Sequence, residues 1–286
     1  GTHPVAVQSM TNTDTRDTAA CVAQIERIAR AGAPIVRLTA QGVREAENLR
    51  DITERLRADG NTTALVADIH FLPEAAAVAA QYVDKVRINP GNYRLDRGEL
   101  EALVARCRER GVALRIGVNH GSLSKRIFDE WGDTPEGMVA AAMEFLHVCR
   151  REAFDQVVVS MKSSNTRVMV AAYRLLVEAM EREGMTYPIH LGVTEAGNGL
   201  EGRIKSAVGI GALILSTLLT TLYLMTVVVR AYFPVGKLDA EALAKVHDPD
   251  KTMTVPLVLL TSMGVVLALC SNLVIGFLTQ VSQGLL

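Results

Sequence analysis

Five short segments of the chain alternate charged or polar residues with aliphatic ones, and each is followed by a stretch of helical periodicity. Successive side chains of a strand point to opposite faces, so these segments predict strands with one aliphatic face and one polar face. A parallel sheet in an α/β protein normally has both faces buried. Buried cations are costly unless they are paired, and an anionic ligand is the simplest partner for a row of them. The residues predicted on the polar face are Arg37, Asp68, His70, Arg87, Asn89, Arg115, Asn119, Ser160 and Lys162.

Strand and helix patterns alternate over seven units of similar length. This repetition favours a TIM-type α/β barrel, which has eight such units, and a doubly wound open sheet is the alternative. The predicted strands are residues 5–10, 34–40, 63–69, 85–90, 112–119, 156–162 and 188–195, and the predicted helices are 17–31, 43–58, 73–81, 97–110, 135–151, 166–183 and one that starts near Gly202.

Polar residues crowd the carboxyl ends of the predicted strands, where both folds place their active sites. The ends read SMTNTDT, TAQG, DIHF, INPGN, VNHGSL, MKSSN and TEAGN. Structural alternatives exist: INPGN can form a turn, residues 163–165 can cap the next helix, and His70 or His190 can be a core histidine. Seven polar ends on one rim together favour a ligand site.

The overall charge and the cysteines exclude several classes of protein. A formal net charge of −1 over 286 residues argues against a general nucleic-acid binder. Cys21, Cys107, Cys149 and Cys270 form no CxxC pair, so they predict buried thiols of a reducing compartment rather than disulfides or a metal site. The chain opens directly on a strand without a recognisable signal peptide, and a short N-terminal segment is expected to be missing.

The last third of the chain differs in composition from the rest. Residues 207–229 and 252–286 contain no charged side chain, and each stretch is long enough to cross a membrane. We therefore predict a barrel domain at 1–206 and a membrane-type segment at 207–286. That segment would hold two long membrane-spanning helices, 207–229 and 254–281, with a polar loop at 230–251. A buried helical hairpin is the alternative.

Seven motifs within the barrel carry a resemblance to a known family. In order they read VQSMTNTDT, ADIHF, KVRINPGN, GVNHGSL, SMKSSN, HLGVTEAG and GRIKSAVGIGALI. Over about residues 4–213 the chain resembles the 4-hydroxy-3-methylbut-2-enyl diphosphate synthase family of the MEP route to isoprenoids. The resemblance implies an oxidoreductase that opens the ring of 2-C-methyl-D-erythritol 2,4-cyclodiphosphate. It also implies flavodoxin or ferredoxin as reductant and a [4Fe-4S] cluster on a separate domain. The barrel would be cytoplasmic, and a homodimer is compatible with the resemblance.

The same resemblance assigns roles to residues of the predicted polar face. Arg37, Arg87, Arg115 and Lys162 would neutralise the diphosphate, with arginine giving bidentate contacts and lysine a point charge. Glu195, in TEAG, is the candidate for catalytic proton transfer. Further substrate contacts are expected from Asn89, Asn119, His120, Ser122, Asn165, His190, Lys205 and Ser206.

The sequence departs from the family pattern after GIGALI. The family continues with an eighth strand and then with a domain that binds the cluster through three cysteines and a glutamate, and this chain has no such cysteine-rich segment. We therefore expect no bound cluster and no turnover by this chain alone. Two alternative functions remain open. The chain could be a membrane transporter fragment in which the barrel has no role, or a membrane-anchored diphosphate-binding module.

Residues 213–286 carry a second resemblance, to the C-terminal helices of antiporter-like membrane subunits of NADH–quinone oxidoreductase and related cation antiporters. Neither apolar span contains the lysine or glutamate of a proton path, so no transport site is predicted. The basic loop 230–251 is expected in the cytoplasm, which would place the barrel outside. This conflict favours an artificial or misassembled junction near residue 213 over a natural membrane anchor.

Overall fold

Six parallel strands form one sheet in the order in which they occur along the chain, in a computed structural model that describes residues 5–69 and 72–214. A doubly wound sheet reverses its strand order at a switch point, and no reversal occurs among these strands. The doubly wound alternative is therefore wrong, and the sheet has the order of a TIM-type barrel. The strands are β1 (Gln8–Met10), β2 (Ile35–Ala40), β3 (Ala64–Ile69), β4 (Lys85–Ile88), β5 (Ala113–Asn119) and β6 (Val157–Lys162).

A helix connects each strand to the next, as parallel pairing requires. All seven predicted helices are present, two of them with the predicted bounds. The sequence did not predict α5, a seven-residue helix whose N-terminus is capped by the hydroxyl of Ser124. The helices are α1 (Thr18–Arg30), α2 (Val43–Ala58), α3 (Pro73–Ala79), α4 (Glu99–Arg110), α5 (Lys125–Trp131), α6 (Pro135–Arg151), α7 (Thr166–Arg182) and a helix at 199–214, and two 3₁₀ turns lie at Pro90–Asn92 and Leu95–Arg97.

The two faces of the sheet divide as the alternation predicts. On β5, Leu114, Ile116 and Val118 are fully buried and belong to the hydrophobic core. The alternate residues of the same strand, Arg115 and Gly117, lie on the opposite face. The aliphatic side packs against the helices, so the polar side is left facing the interior of the barrel.

The seventh predicted strand, residues 188–195, is wrong beyond its first three residues. Ile189 forms a single parallel bridge with Val159, supported by two backbone hydrogen bonds of 2.8 and 3.0 Å. The next rung would use the carbonyl oxygen of His190, but that oxygen instead accepts a hydrogen bond of 2.6 Å from the hydroxyl of Tyr173. Glu195 also adopts a left-handed backbone conformation, with φ of 48°, that a strand cannot contain.

The predicted membrane helices 207–229 and 254–281 and the loop 230–251 lie outside the described residues, except for 207–214. Those eight residues continue the helix that begins at residue 199, as the sequence predicted. In the described part of the chain, no helix has the combination of length and hydrophobicity that crossing a membrane requires.

Candidate anion-binding site

The centre of the polar face is a row of three charged residues on neighbouring strands. Asp68 on β3 is in register with Arg87 on β4, which is in register with Arg115 on β5. These side chains are almost completely buried, at 2%, 3% and 0% exposure respectively. The sequence predicted all three on this face, and the register of the strands brings them side by side.

Asp68 forms ion pairs with two of the arginines. Its Oδ1 accepts a hydrogen bond of 2.8 Å from Nη1 of Arg87, and its Oδ2 lies 3.5 Å from Nε of Arg37. Arg37 also donates from Nη2 to the sulfur of Met10 at 3.0 Å. One buried carboxylate therefore holds two guanidinium groups in place, and removing it would leave both charges poorly compensated.

Gly117 makes room for Arg87. Nη2 of Arg87 donates to the carbonyl oxygen of Gly117 at 2.8 Å, so the guanidinium lies directly over this residue. A Cβ atom added at Gly117 would collide with Nε of Arg87. The glycine is thus required by the close approach of the arginine and not by its own backbone angles.

We expect Gly117→Ala to destabilise the protein by about 1–3 kcal/mol, because the new methyl group forces the buried Arg87 out of its position. Urea denaturation monitored by circular dichroism measures the loss. Gly211→Ala is the matched control, since its Cβ meets nothing within 4 Å and alanine favours the helix at 199–214. Equal stability of the two variants would contradict the packing of Arg87 against Gly117.

Arg115 differs from the other two arginines in the hydrogen bonding of its terminal guanidinium nitrogens. Its Nε donates to Oγ of Ser160 at 3.1 Å, whereas Nη1 and Nη2 are buried and have no hydrogen-bond partner among the described residues. Burial, followed by the charges of Arg37 and Arg87, lowers the pKa of Arg115 to about 9. Buried donors are nearly always satisfied in folded proteins, so these two nitrogens are available to bind a ligand or water.

Two further basic groups face the same cluster. Burial first, and then the charges of Arg115, Arg37 and Arg87, lower the pKa of Lys162 to about 6. Lys85 on β4 also has a lowered pKa, caused by burial and by Arg115, although Asp84 acts in the opposite direction. Lys85 was not among the predicted site residues, although it shares the two-residue period of Arg87 and Asn89 and could have been found from that period.

His190 lies beside these cations. Its pKa is lowered to about 2, by burial first and then by Arg115, Lys162, Lys85 and Arg37. The ring is therefore neutral at physiological pH. A neutral imidazole can donate one hydrogen bond to an anion and accept another from a neighbouring group.

The rim above the cluster is built by two loops that contact each other. Nδ2 of Asn89 donates to Oγ of Ser122 at 2.7 Å, and Oδ1 of Asn89 accepts from the backbone of Gly91. With its side-chain amide in the orientation that satisfies both of its polar atoms, Asn119 accepts from Nη2 of Arg87 at 3.2 Å. Asn89 and Ser122 therefore fix the loops, and Asn119 joins the arginine cluster.

The ring of His120 contacts Asp133, while its backbone N–H donates to the carbonyl oxygen of Lys162 at 2.9 Å. Its Nε2 lies 3.1 Å from the Asp133 carbonyl oxygen, and its Nδ1 lies 3.5 Å from the Asp133 carboxylate. The backbone N–H of the adjacent Gly121 donates to that carboxylate at 3.0 Å. Asp133 thus ties the loop after β5 to the residues that precede α6.

Asn165 caps α7, which was the structural alternative for MKSSN. Its Oδ1 accepts from the backbone N–H groups of Arg167 and Val168. The cap uses the oxygen of the amide and leaves the Nδ2 donor for a ligand. A role in substrate binding stays a prediction and would have to use that donor.

Substitutions at Asn165 separate the two roles. We expect Asn165→Ala to lower the free energy of unfolding by about 1 kcal/mol, because the cap is lost. Asn165→Ser keeps a capping oxygen but removes the amide donor, so it should retain stability and bind a diphosphate more weakly. Thermal denaturation and calorimetry measure the two effects. Wild-type affinity in Asn165→Ser would show that Asn165 serves only as a cap.

The remaining predicted site residues lie at or beyond the edge of the cluster. Glu195 is exposed, and its left-handed backbone conformation is the kind of strain that functional sites often hold. Lys205 and Ser206 are half-buried on the helix at 199–214. That helix packs against α7, because Gly209 lies beside Thr166 and Met169. His70 lies outside the described residues.

The described residues do not fit an iron–sulfur cluster. Cys21, Cys107 and Cys149 are buried on three different helices, and in the part of the chain that the structure describes no three His, Cys, Asp or Glu side chains converge as metal ligands. Burial raises the pKa of Cys107 and of Cys149 to about 12, which disfavours the thiolate that a cluster needs. That the purified chain lacks a cluster stays a prediction.

A separate cavity of about 450 Å³ lies away from the polar face, between the two 3₁₀ turns and helices α5 and α6. Arg126 and Glu144, which line it, form an ion pair with each other at 2.5 Å. Its aromatic residues, Tyr93 and Phe145, pack edge to face with ring centroids 6.4 Å apart. Because its main charges are already paired, this cavity lacks the unsatisfied cations of the polar face.

The parallel sheet and the buried cluster of charged residues define a TIM-type barrel protein with a cationic interior. The comparison with family models agrees, since the GcpE TIM-barrel domain matches residues 1–225. The chain belongs to the GcpE family. The match extends past residue 213, where the antiporter-like resemblance begins. The comparisons do not support the antiporter-like interpretation of residues 213–286.

Several similar proteins are named 4-hydroxy-3-methylbut-2-en-1-yl diphosphate synthase (flavodoxin). The protein of Phocaeicola vulgatus is 57% identical over 236 residues, which cover 75% of this chain and 38% of that protein. The proteins of Akkermansia muciniphila and Leptospira interrogans are 53% and 48% identical, each over 75% of this chain and over 40% and 35% of their own lengths. The chain thus spans well under half the length of these relatives.

Proposed function

We propose that this chain is the substrate-binding barrel of a 4-hydroxy-3-methylbut-2-en-1-yl diphosphate synthase and that its ligand is 2-C-methyl-D-erythritol 2,4-cyclodiphosphate. The observation that carries the proposal is the buried cluster on the polar face. There Arg37, Arg87, Arg115 and Lys162 converge, while Asp68 pairs with two of the arginines. A diphosphate supplies two negative charges where the protein leaves cations unneutralised. The names of the relatives support the choice of a diphosphate.

Within this proposal the residues of the face divide into two groups. Arg87 and Arg37 are already fixed by Asp68, so they form the positive wall of the site. Arg115 and Lys162 would change most on binding, because the first has two free nitrogens and the second can take up a proton. Contacts from Asn119, His190, Lys205 and Ser206 and proton transfer by Glu195 belong to the same proposal.

Reductive ring opening also needs two electrons. The described residues contain no group of ligands for a cluster that could deliver them. The flavodoxin in the relatives' names supports flavodoxin as the electron donor of the complete enzyme. We therefore assign substrate binding to this chain and the electron-transfer step to groups beyond the described residues.

Selectivity among anions tests the proposal. Isothermal titration calorimetry of the 286-residue chain should show tighter binding of the cyclodiphosphate than of inorganic pyrophosphate, and much weaker binding of orthophosphate. ADP serves as the control, since it carries a diphosphate on an unrelated group. Equal affinity for ADP and the cyclodiphosphate would show a general phosphate site and would sink the assigned substrate.

Binding should be coupled to proton uptake. In the free protein the pKa of Lys162 is lowered from its ordinary value of 10.5 to about 6, by burial and by Arg115, Arg37 and Arg87 against the opposing charge of Asp68. A bound anion favours the protonated amine and raises that pKa. Between about pH 6 and pH 10 the complex therefore holds more protons than its components, and affinity rises as the pH falls.

Calorimetry at pH 7.5 in two buffers of different ionisation enthalpy measures this uptake. The cyclodiphosphate suits the experiment because each phosphorus carries a single, strongly acidic hydroxyl, so the ligand does not titrate near neutral pH. Lys162→Met should abolish most of the uptake. Identical proton uptake in wild type and Lys162→Met would contradict the role given to Lys162.

A further inference from the structure

Ser160 contacts Arg115 in a way that limits how an anion can approach. It lies on β6, in register with Gly117 of β5, and both Ser160 and Arg115 are 0% exposed. The hydroxyl oxygen of Ser160 accepts a hydrogen bond of 3.1 Å from Nε of Arg115. Ser160 was predicted on the polar face, but its residue type and the family resemblance assigned it no role.

A guanidinium group can bind two anion oxygens from its side, through Nε and one Nη, or from its end, through both Nη atoms. The bond to Ser160 occupies Nε, so the side approach is blocked. Nη1 and Nη2 are buried without a hydrogen-bond partner among the described residues, so the end approach is open. Asp68 and the Gly117 carbonyl hold Arg87, and Asp68 and Met10 hold Arg37.

We infer that Ser160 is a positioning residue, which fixes the Arg115 guanidinium so that Nη1 and Nη2 bind two non-bridging oxygens of one phosphoryl group end-on. The inference rests on the proposed function, because it assumes that the ligand is a phosphorylated compound held on this face. It adds the orientation of the contact and the residue that enforces it. Ser160 itself does not touch the ligand.

A double-mutant cycle tests whether Ser160 acts through Arg115, with inorganic pyrophosphate as the probe and the 286-residue chain as the protein. Ser160→Ala should weaken pyrophosphate binding about 3- to 10-fold, and Arg115→Met about 10- to 100-fold. In the Arg115→Met background, Ser160→Ala should have no further effect. Ser160→Cys, with a weaker acceptor, should fall between wild type and Ser160→Ala.

The cycle separates positioning from a merely structural role, because a structural effect of Ser160→Ala would persist without Arg115. Thr53→Ala is the matched control: it removes a hydroxyl bonded to the Tyr82 carbonyl at 3.0 Å, away from the site, and should leave affinity unchanged. Undiminished affinity in Ser160→Ala, or a full additional loss in the double variant, would overturn the inference. Failure of the wild-type chain to bind any diphosphate would instead reject the proposed function.

Discussion

Asp68→Asn should destabilise the ligand-free protein by about 3–5 kcal/mol, the loss expected when one partner of a buried ion pair is removed. The side chain is 2% exposed and holds both Arg37 and Arg87. Asparagine keeps the shape but not the charge, so the two guanidinium groups would face each other and Arg115 without compensation. The loss should be visible as a large shift of the urea midpoint.

An anion added in solution should reverse part of this loss. Pyrophosphate can replace the missing negative charge, and a ligand at 100 times its dissociation constant adds about 2.7 kcal/mol to the stability of the state that binds it. Asp129→Asn is the control, because the Asp129 carboxylate pairs with Lys125 at the surface and its removal should cost well under 1 kcal/mol. A similarly small effect of Asp68→Asn would show that Asp68 does not neutralise the cluster.

The second large effect is expected on binding. Arg115→Ala and Lys162→Ala should each weaken the affinity for the cyclodiphosphate by about 1.5–3 kcal/mol, or roughly 10- to 150-fold, through loss of a charge-assisted contact. Neither variant should be strongly destabilised, because Arg115→Ala removes a buried cation that burial and its neighbours disfavour and Lys162→Ala removes an amine that is largely uncharged in the free protein.

Calorimetry and thermal denaturation of the same samples check both parts of this prediction. Arg126→Ala is the control, since Arg126 pairs with Glu144 outside the cluster and should leave the affinity unchanged. Unchanged affinity in both Arg115→Ala and Lys162→Ala would sink the assignment of the site, whatever their stability.

The first six strands and their polar face could be predicted because both follow from the alternation of side chains along a strand. The face that packs against the helices must be apolar, so polar residues recur at every second position. β6, for example, extends over Val157–Lys162 within the predicted 156–162, with Ser160 and Lys162 on the predicted side. The same period includes Lys85, which was overlooked. The pairing of Asp68 with Arg87 could not be predicted, because it depends on the register of β3 against β4, which no local pattern encodes.

Tertiary contacts explain where the sequence was misleading. Residues 188–195 have the composition of a strand, but Tyr173 of α7 takes the carbonyl of His190, and Gly192 approaches Lys162 so closely that a Cβ would lie 3.0 Å from Nζ. α5 was missed because seven residues are too few to show a helical period clearly. Asparagine is a preferred residue at a helix N-cap, so the sequence alone could not show whether Asn165 caps α7 or contacts a ligand.

A crystal structure of the chain with the cyclodiphosphate bound would show whether the buried cations of the polar face hold the substrate. We expect a phosphoryl group on the polar face, with two of its oxygens within hydrogen-bond distance of Nη1 and Nη2 of Arg115 and another oxygen near Nζ of Lys162. Asp68 should keep its contacts with Arg37 and Arg87. A ligand bound elsewhere, for example in the cavity beside Tyr93 and Phe145, would contradict the assignment of the polar face as the substrate site.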